Sequence, residues 1–333
     1  MGAVLVTGGA GYIGSHTVKA LRAAGRDVVV LDDLSLGHRA AVAGVPLVEA
    51  GISDAPVVRD TLRQHDVTAV MHFAASASVG ESVADPHGYY VNNVVDTLVL
   101  LGALRDRSVR HLVFSSTAAV YGVPEETPIR ENHPTRPVNP YGETKLAVER
   151  ALPHYEHAYG LVAIRLRYFN AAGADPDGTI GEDHRPENHA IPRAIDAAQG
   201  GPRFDVYGAD YPTPDGTCLR DYVHVSDLAH AHVLSLAALE AGRPARAYNV
   251  GTGRPHSVLD VLASVERVTG RPPARRVAAR RSGDPPVLHA SNARIRDELG
   301  WRPRFENLDA IVETAWRWRR AHPGGYAETA PES

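Results

Sequence analysis

Apolar residues along the first half of the chain fall into short runs that alternate with longer stretches of helical spacing. Ala3 to Thr7 reads as a buried strand, and a helix follows from Tyr12 to about Ala24. Asp27 to Leu31 reads as a second strand, Pro46 to Glu49 as a short third, and Ala55 to His65 as a helix. Ala69 to Phe73 is a strand, Tyr89 to Arg105 a long helix, and His111 to Ser116 a strand. A helix opened by Pro140 and the strand Val162 to Tyr168 complete the series. Strands that alternate with helices predict a doubly wound parallel α/β sheet. Ligands of such sheets sit at the carboxyl ends of the strands. Gly8, Asp32, Phe73, Ser115 and Asn170 all fall at such ends.

This rhythm stops near Ala171. Gly, Pro, Asp and His dominate Ala172 to Asn188, which predicts a long ordered loop or a domain junction. Beyond it the pattern predicts a smaller, mixed α/β unit, with helix Ile191 to Gln199 and strand Phe204 to Gly208. Asp221 to Glu240 reads mostly as helix, Ala247 to Gly251 as strand, and Ser257 to Thr269 as an amphipathic helix capped by Ser257. The expected division is residues 1–171 and 172–326, interleaved at the boundary, with a frayed tail at 327–333.

With 333 residues, 44% hydrophobic and 22% charged, the chain can bury a sizeable core. A net charge of −4 without a basic run gives no sign of a nucleic-acid or membrane-surface partner. No apolar run reaches the ~20 residues of a membrane span. The lone cysteine, Cys218, leaves no internal disulfide and no cysteine-type zinc site. A cytoplasmic enzyme is the expectation.

Candidate chemistry begins at the first turn. Gly8, Gly11 and Gly14 lie between a strand and a helix, as a dinucleotide fingerprint requires. Gly8 suits a tight turn, Gly11 close approach of a diphosphate, and Gly14 helix–strand packing. Asp32, at the end of the second strand, would accept from ribose hydroxyls and repel a 2′-phosphate, which favours NAD over NADP. Tyr141 and Lys145 lie four residues apart, one helical turn on one face. A phenol titrates near ~10, and an ammonium beside it would favour the phenolate that takes a proton from an alcohol. The chain holds 35 Lys plus Arg, yet only Lys19 and Lys145 are lysine, so position 145 calls for a compact ammonium. Thr117, closing the hydroxyl run Ser115-Ser116-Thr117, is the third candidate; hydroxyls at strand ends also cap turns. Arg220, Arg280 and Arg281 could grip a diphosphate or stand as solvated surface charges. His184 and His189 share an acidic segment, but their spacing gives no three-ligand metal pattern, and no metal is expected.

The segments Thr7 to His16, Ser115 to Gly122, Tyr141 to Leu146, Arg167 to Asn170, Gly181-Glu182-Asp183 and Asp215 to His224 resemble the UDP-glucose (UDP-galactose) 4-epimerases. These are extended short-chain dehydrogenase/reductases. The resemblance runs to Trp316-Arg317-Trp318 and His322 to Tyr326. It implies a Rossmann sheet with a smaller substrate domain, a tightly held NAD and a UDP-hexose oxidised, turned and reduced again at C4. It implies Tyr141 as base, Lys145 as ribose contact and Thr117 as hydroxyl partner. The cofactor contacts it implies are Gly8, Gly11, Tyr12, Ile13, Gly14, Asp32, Ile52, Phe73, Ala74, Asn92, Ser115, Tyr141, Lys145 and Tyr168. For the substrate it implies Thr117, Tyr141, Asn170, His189, Tyr207, Arg220, Arg281, Asp284 and Leu288, and a homodimer is expected by analogy.

Three positions depart from that pattern. Gly51 stands where an Asp is common, Ala77 where some members have Lys, and Leu288 where some have Tyr. The last leaves room at C2 and opens the way to UDP-GlcNAc and UDP-GalNAc. A nucleotide-sugar 4,6-dehydratase shares the first step but needs an acid and a base directly after Thr117, where this chain has Ala118-Ala119. A uronate epimerase, a plain sugar dehydrogenase and a non-catalytic NAD-binding protein are the other readings.

Overall fold

A computed structural model describes residues 2–281 and 284–326. The tail expected to fray, residues 327–333, lies outside them. Strands β1 (Val4–Thr7), β2 (Val28–Asp32), β3 (Leu47–Glu49), β4 (Ala69–His72), β5 (His111–Thr117) and β6 (Val162–Tyr168) form one sheet in the spatial order 6-5-4-1-2-3. Every pairing in it is parallel. That is the doubly wound order for a dinucleotide fold, with the crevice at the point where the order reverses.

Both faces of the sheet are covered, so its strands read as continuous apolar runs rather than alternating ones. Val4, Val6, Val28, Val30, Met71 and Ile164 pack against helices Tyr12–Ala23 and Val225–Glu240 through Val18, Leu21, Leu228 and Leu236. Leu5, Val29, Leu31, Val70 and Phe114 point to the other face. There they meet Val58 and Leu62 of helix Ala55–Gln64, Leu100 and Leu104 of Asp96–Asp106, and Val148 and Leu152 of Pro140–Tyr159. Each such side chain contributes roughly 1.5–3 kcal/mol by its burial.

Three expectations need correction. Ala247–Val250, expected in the smaller unit, is the seventh strand of the large sheet, parallel to β6 with Val250 opposite Tyr168. Its central residues are fully buried, and only a sheet edge already flanked by helices offers that burial. Asp221 does not open a helix. Leu219–His224 is a strand, and the helix starts at Val225 with the His224 ring accepting from Ser226 N–H. The charge at Asp221 is used inside the strand, where its carboxylate accepts from the backbone N–H groups of Thr252, Gly253 and Ala290. The long helix near Tyr89 begins at Pro86 and carries a π turn at Val91–Val95. There the Asn93 side chain turns inward to Ser76 and the Thr144 hydroxyl. Single π turns inside helices gather at functional sites.

In the second half, Leu219–His224 lies between Pro255–Ser257 and Val287–Leu288 and also pairs with Asn170–Ala172. Phe204–Tyr207 pairs with Arg275–Ala278. A second core joins helices Ala190–Ala198, Val258–Thr269 and Leu308–Ala321 through Ile191, Ile195, Val261, Val265, Ile311 and Val312. Ser257 caps its helix in a reciprocal box with Asp260. The stretch before these helices is irregular but anchored. Tyr12 Oη donates to the Gly173 carbonyl at 2.6 Å, and Lys19 Nζ donates to Asp175, Asp177 and the Thr179 hydroxyl. Among the described residues no helix is long and apolar enough to cross a membrane.

Candidate active site

The site grows from the carboxyl ends of β1, β4 and β5, three adjacent strands with Thr7 opposite His72 and His72 opposite Phe114. Two strand spacings separate the glycine turn after β1 from the end of β5, roughly 10 Å.

Gly8 has a φ of +69°, and a Cβ there would lie 2.4 Å from the Ala74 nitrogen. A Cβ on Gly14 would lie 2.2 Å from the Gly8 carbonyl. The polypeptide itself therefore demands both glycines. Gly11 differs, since its Cβ would meet only the Gly8 oxygen, at 3.4 Å. Gly11 heads helix Tyr12–Ala23, whose first turn has neither a side-chain cap nor an acidic residue. Open N–H groups, a positive helix end and a surface without side chain make a cradle for a diphosphate.

Asp32 is buried, which raises its carboxyl above the ordinary range, and it accepts from Ala10 and Leu34 N–H at 2.9 Å each. It thus also holds the glycine turn in place. Phe73 and Ala74 both donate N–H to the Thr7 carbonyl, and the Phe73 ring lies 4.6 Å from that of His232. Ile13 is partly buried and Ile52 buried, each in the core beneath the turn. The Asn92 amide donates to the Ser76 hydroxyl. Tyr12, expected against a cofactor, has its hydroxyl committed to Gly173.

Thr117 closes β5. Its Oγ1 accepts from Ala119 N–H at 3.1 Å and lies near enough to the Tyr141 phenol to favour its ionised form. Asn139 caps the helix that carries Tyr141, accepting from Gly142 N–H at 2.9 Å. Burial raises the phenol above its usual value, and the nearby Thr117 hydroxyl pulls it back. Lys145 is buried one turn on, and desolvation lowers its ammonium to about 7. It donates to the Ser115 carbonyl at 3.0 Å and sits 5.1 Å from the Phe114 ring centre. This bond anchors the ammonium on β5, one helical turn along from Tyr141. Burial raises the Tyr168 phenol, and the Ser115 hydroxyl near it acts the other way.

A network that spacing alone did not reveal stands behind this corner. Ser116 donates to Glu149, Arg167 Nε donates to Glu149 Oε1 at 2.9 Å, and Arg167 also reaches the Tyr121 hydroxyl. Tyr121 in turn donates to Asn249 Oδ1 at 2.6 Å. All five groups are buried, so the network fixes the end of β5 to β6 and to the seventh strand. Glu149 falls one turn beyond Lys145, and that spacing was the available signal.

Six other candidates gather on the second half. Arg281 stacks on the Tyr207 ring at 4.4 Å and donates to Asp284 at 3.2 Å. Arg220 reaches Asp284 at 3.5 Å and donates to the Leu219 and Pro285 carbonyls. Leu288 pairs in register with Arg220 and packs against the cluster containing Ala118 and Phe169. Asn170 lies on the neighbouring strand, opposite Tyr222. Arg280, the third arginine considered, turns to Asp210 and stacks on Tyr211 instead. His189 stands apart in an acidic group, where the Glu182 carboxylate raises its imidazole to about 10.

Residues 4–251 match the model of the NAD dependent epimerase/dehydratase family. The chain is 48% identical over 326 residues to the UDP-glucose 4-epimerase of Halalkalibacterium halodurans, with 98% of each chain covered. Its structure is similar to that of UDP-glucose 4-epimerase from Brucella ovis in complex with NAD. The TM-score there is 0.93 at 49% identity, with 95% of this chain and 98% of that one covered. It is also similar to the Bifidobacterium longum UDP-glucose 4-epimerase in complex with NAD+ and UDP, with TM-score 0.91, 36% identity and coverage of 97% and 100%. This chain belongs to the NAD dependent epimerase/dehydratase family.

Proposed function

We propose that the protein inverts C4 of a UDP-hexose, interconverting UDP-glucose and UDP-galactose through a transient 4-keto sugar, with NAD as its resident cofactor. The observation that carries this reading is the buried Tyr141 phenol with the Thr117 hydroxyl near it at the end of β5, two strands from the glycine turn of β1. The residues present fit NAD: Gly11 leaves a Cβ-sized space at a helix end, and Asp32 offers a buried carboxylate after β2. When bound, NAD takes a hydride from C4 and returns it.

In this reading Tyr141 Oη removes the proton of the C4 hydroxyl and later gives it back to the ketone oxygen. Thr117 hydrogen-bonds the same oxygen and orients it. Lys145 contacts the nicotinamide ribose and keeps positive charge near the phenol. Gly8, Gly14, Tyr12, Ile13, Ile52, Phe73, Ala74, Asn92, Ser115 and Tyr168 line the cofactor. Arg220 and Arg281 hold the substrate diphosphate, with Asp284, Tyr207, Asn170 and His189 around the nucleotide. A firm grip on the nucleotide and a loose one on the hexose let the keto sugar turn over between the two transfers.

The site residues after Thr117 favour this over dehydration, because Ala118 and Ala119 cannot exchange protons at C5 or C6. Leu288, partly buried beside the Ala118 cluster, supports a second substrate class, the N-acetylated UDP-GlcNAc and UDP-GalNAc. NMR of products from UDP-glucose and from UDP-GlcNAc tests both. Formation of UDP-galactose without net cofactor reduction is expected, and a dehydrated product or no product overturns the reading. UDP-galactose without UDP-GalNAc removes only the second substrate.

A homodimer and a cytoplasmic location belong to the same proposal. Val91, Val95 and Leu98 are 39%, 51% and 39% exposed and repeat at a helical one-turn spacing, which supports a second copy on that face. Light scattering should give twice the chain mass, and Val95→Glu should lower it; a monomeric wild type contradicts the dimer. Cell fractionation tests the location.

A further inference from the structure

The loop between Gly181 and helix Ala190–Ala198 brings four metal-ligating side chains to one point. One ligand atom each of Glu182, His184, Glu187 and His189 lies within 4.8 Å of the others. His184 Nδ1 is 3.3 Å and His189 Nδ1 is 2.6 Å from the same atom, Glu182 Oε1. Glu187 closes the group, with Oε1 3.4 Å from His189 Nδ1 and Oε2 4.0 Å from His184 Nδ1.

The Glu182 side chain is only 5% exposed. Its Oε1 and His184 Nδ1 are buried, and neither makes a hydrogen bond among the described residues. The approach of His189 is close enough for a bond but lacks the alignment of an N–H with its acceptor. Two imidazole nitrogens therefore converge on one buried carboxylate oxygen, and a metal ion bound among them would displace the proton that the His189 imidazole otherwise holds there.

We propose that Glu182, His184, Glu187 and His189 form a binding site for a first-row divalent cation, zinc foremost. Two imidazoles and two carboxylates suit a borderline ion in four-coordinate geometry. Tetrahedral bonds of ~2.0–2.1 Å set ligand atoms about 3.3 Å apart, and the 3.3 and 3.4 Å separations are close to that. The 2.6 and 4.0 Å separations reach it by shifts under about 1 Å.

The ion takes no part in the proton and hydride transfers; His189 meets it through Nδ1, which leaves Nε2 for the nucleotide contact proposed above. It ties the loop to the first helix, because the His184 ring lies edge-on to Tyr12 at 6.1 Å and Tyr12 holds the Gly173 carbonyl. The Glu187 carboxylate already folds back on this loop, accepting from His189 N–H at 2.8 Å.

Tag-free protein, stripped with a chelator and dialysed, is titrated with zinc chloride by calorimetry and with cobalt(II) by visible absorption. One equivalent of zinc per chain, roughly micromolar or tighter, with visible bands of four-coordinate cobalt, is expected. Glu187→Gln and His184→Ala should each weaken zinc at least about tenfold and remove the cobalt bands. Glu187→Gln keeps the test valid should His184→Ala fail to fold. Absence of stoichiometric zinc uptake by the wild type, or uptake unchanged in both variants, overturns the proposal.

Discussion

Lys145 donates its ammonium to the Ser115 carbonyl at 3.0 Å, two residues before the Thr117 hydroxyl that lies near the Tyr141 phenol. The charge is thus fixed to the strand rather than to the phenol. Burial lowers the ammonium to about 7 from an ordinary 10.5. Below pH 7 folded and unfolded chains both hold the proton, and the folded one bears the full cost of burying it. Between about 7 and 10.5 only the unfolded chain binds it, so this group's contribution to stability improves as pH rises through that window. Lys145→Met should therefore raise the melting temperature of cofactor-free protein, most below pH 7 and progressively less towards pH 10.5. Turnover should fall about 10²-fold or more. Equal melting shifts at pH 6 and pH 10 would remove the buried-charge argument.

Tyr141→Phe deletes the proposed base while the ring keeps its packing. Turnover should drop ~10²–10⁴-fold, with bound NAD, released by denaturation and quantified, unchanged. Thr117→Val should cost roughly tenfold to a hundredfold, as for a bond to a developing charge. Thr117→Ser should restore most of it, since the hydroxyl would again accept from Ala119 N–H and meet the phenol. Undiminished turnover in Tyr141→Phe would end the assignment of the base.

Much of this corner was legible because it is local. Tyr141 and Lys145 share a helical turn, and the three glycines sit between one strand and one helix. What escaped depends on partners distant in sequence. Ala247–Val250 is a strand by composition, but only the open edge beside β6 decides which sheet takes it. Asp221 looked like a helix start because its three backbone donors come from loops up to Ala290. Spacing put Lys145 on the face of Tyr141, but the acceptor its ammonium takes, Ser115 O, lies 30 residues earlier in the chain.

Arg281 is exposed and held by the Tyr207 ring and Asp284. Its loss should leave stability within about 0.5 kcal/mol. A remote contact to the diphosphate made equally in ground and transition states raises KM rather than lowering kcat. Arg281→Ala should raise KM for UDP-glucose about tenfold to a hundredfold, with kcat changed severalfold at most. A fall confined to kcat would place this arginine at the chemistry instead.

Lys19, the other lysine, uses its three donors on Asp175, Asp177 and Thr179. The Asp175 side chain is only 13% exposed, so removing the ammonium leaves a largely buried carboxylate without its cation. Because Lys19 itself is partly in water, Lys19→Met should cost only about 1 kcal/mol, seen as a lower melting temperature. Lys19→Arg should not restore it, since a planar fork does not match three acceptors around a point charge. Full recovery by arginine would contradict this reading of the pocket.

The most direct test is the fate of the C4 hydrogen when UDP-glucose is turned over in D2O and followed by NMR. A hydride that leaves C4 and comes back never meets solvent, so UDP-galactose should form with protium retained at C4 and no deuterium incorporated there. Deuterium at C4 would contradict the proposed chemistry, because the hydrogen would then have travelled as a proton.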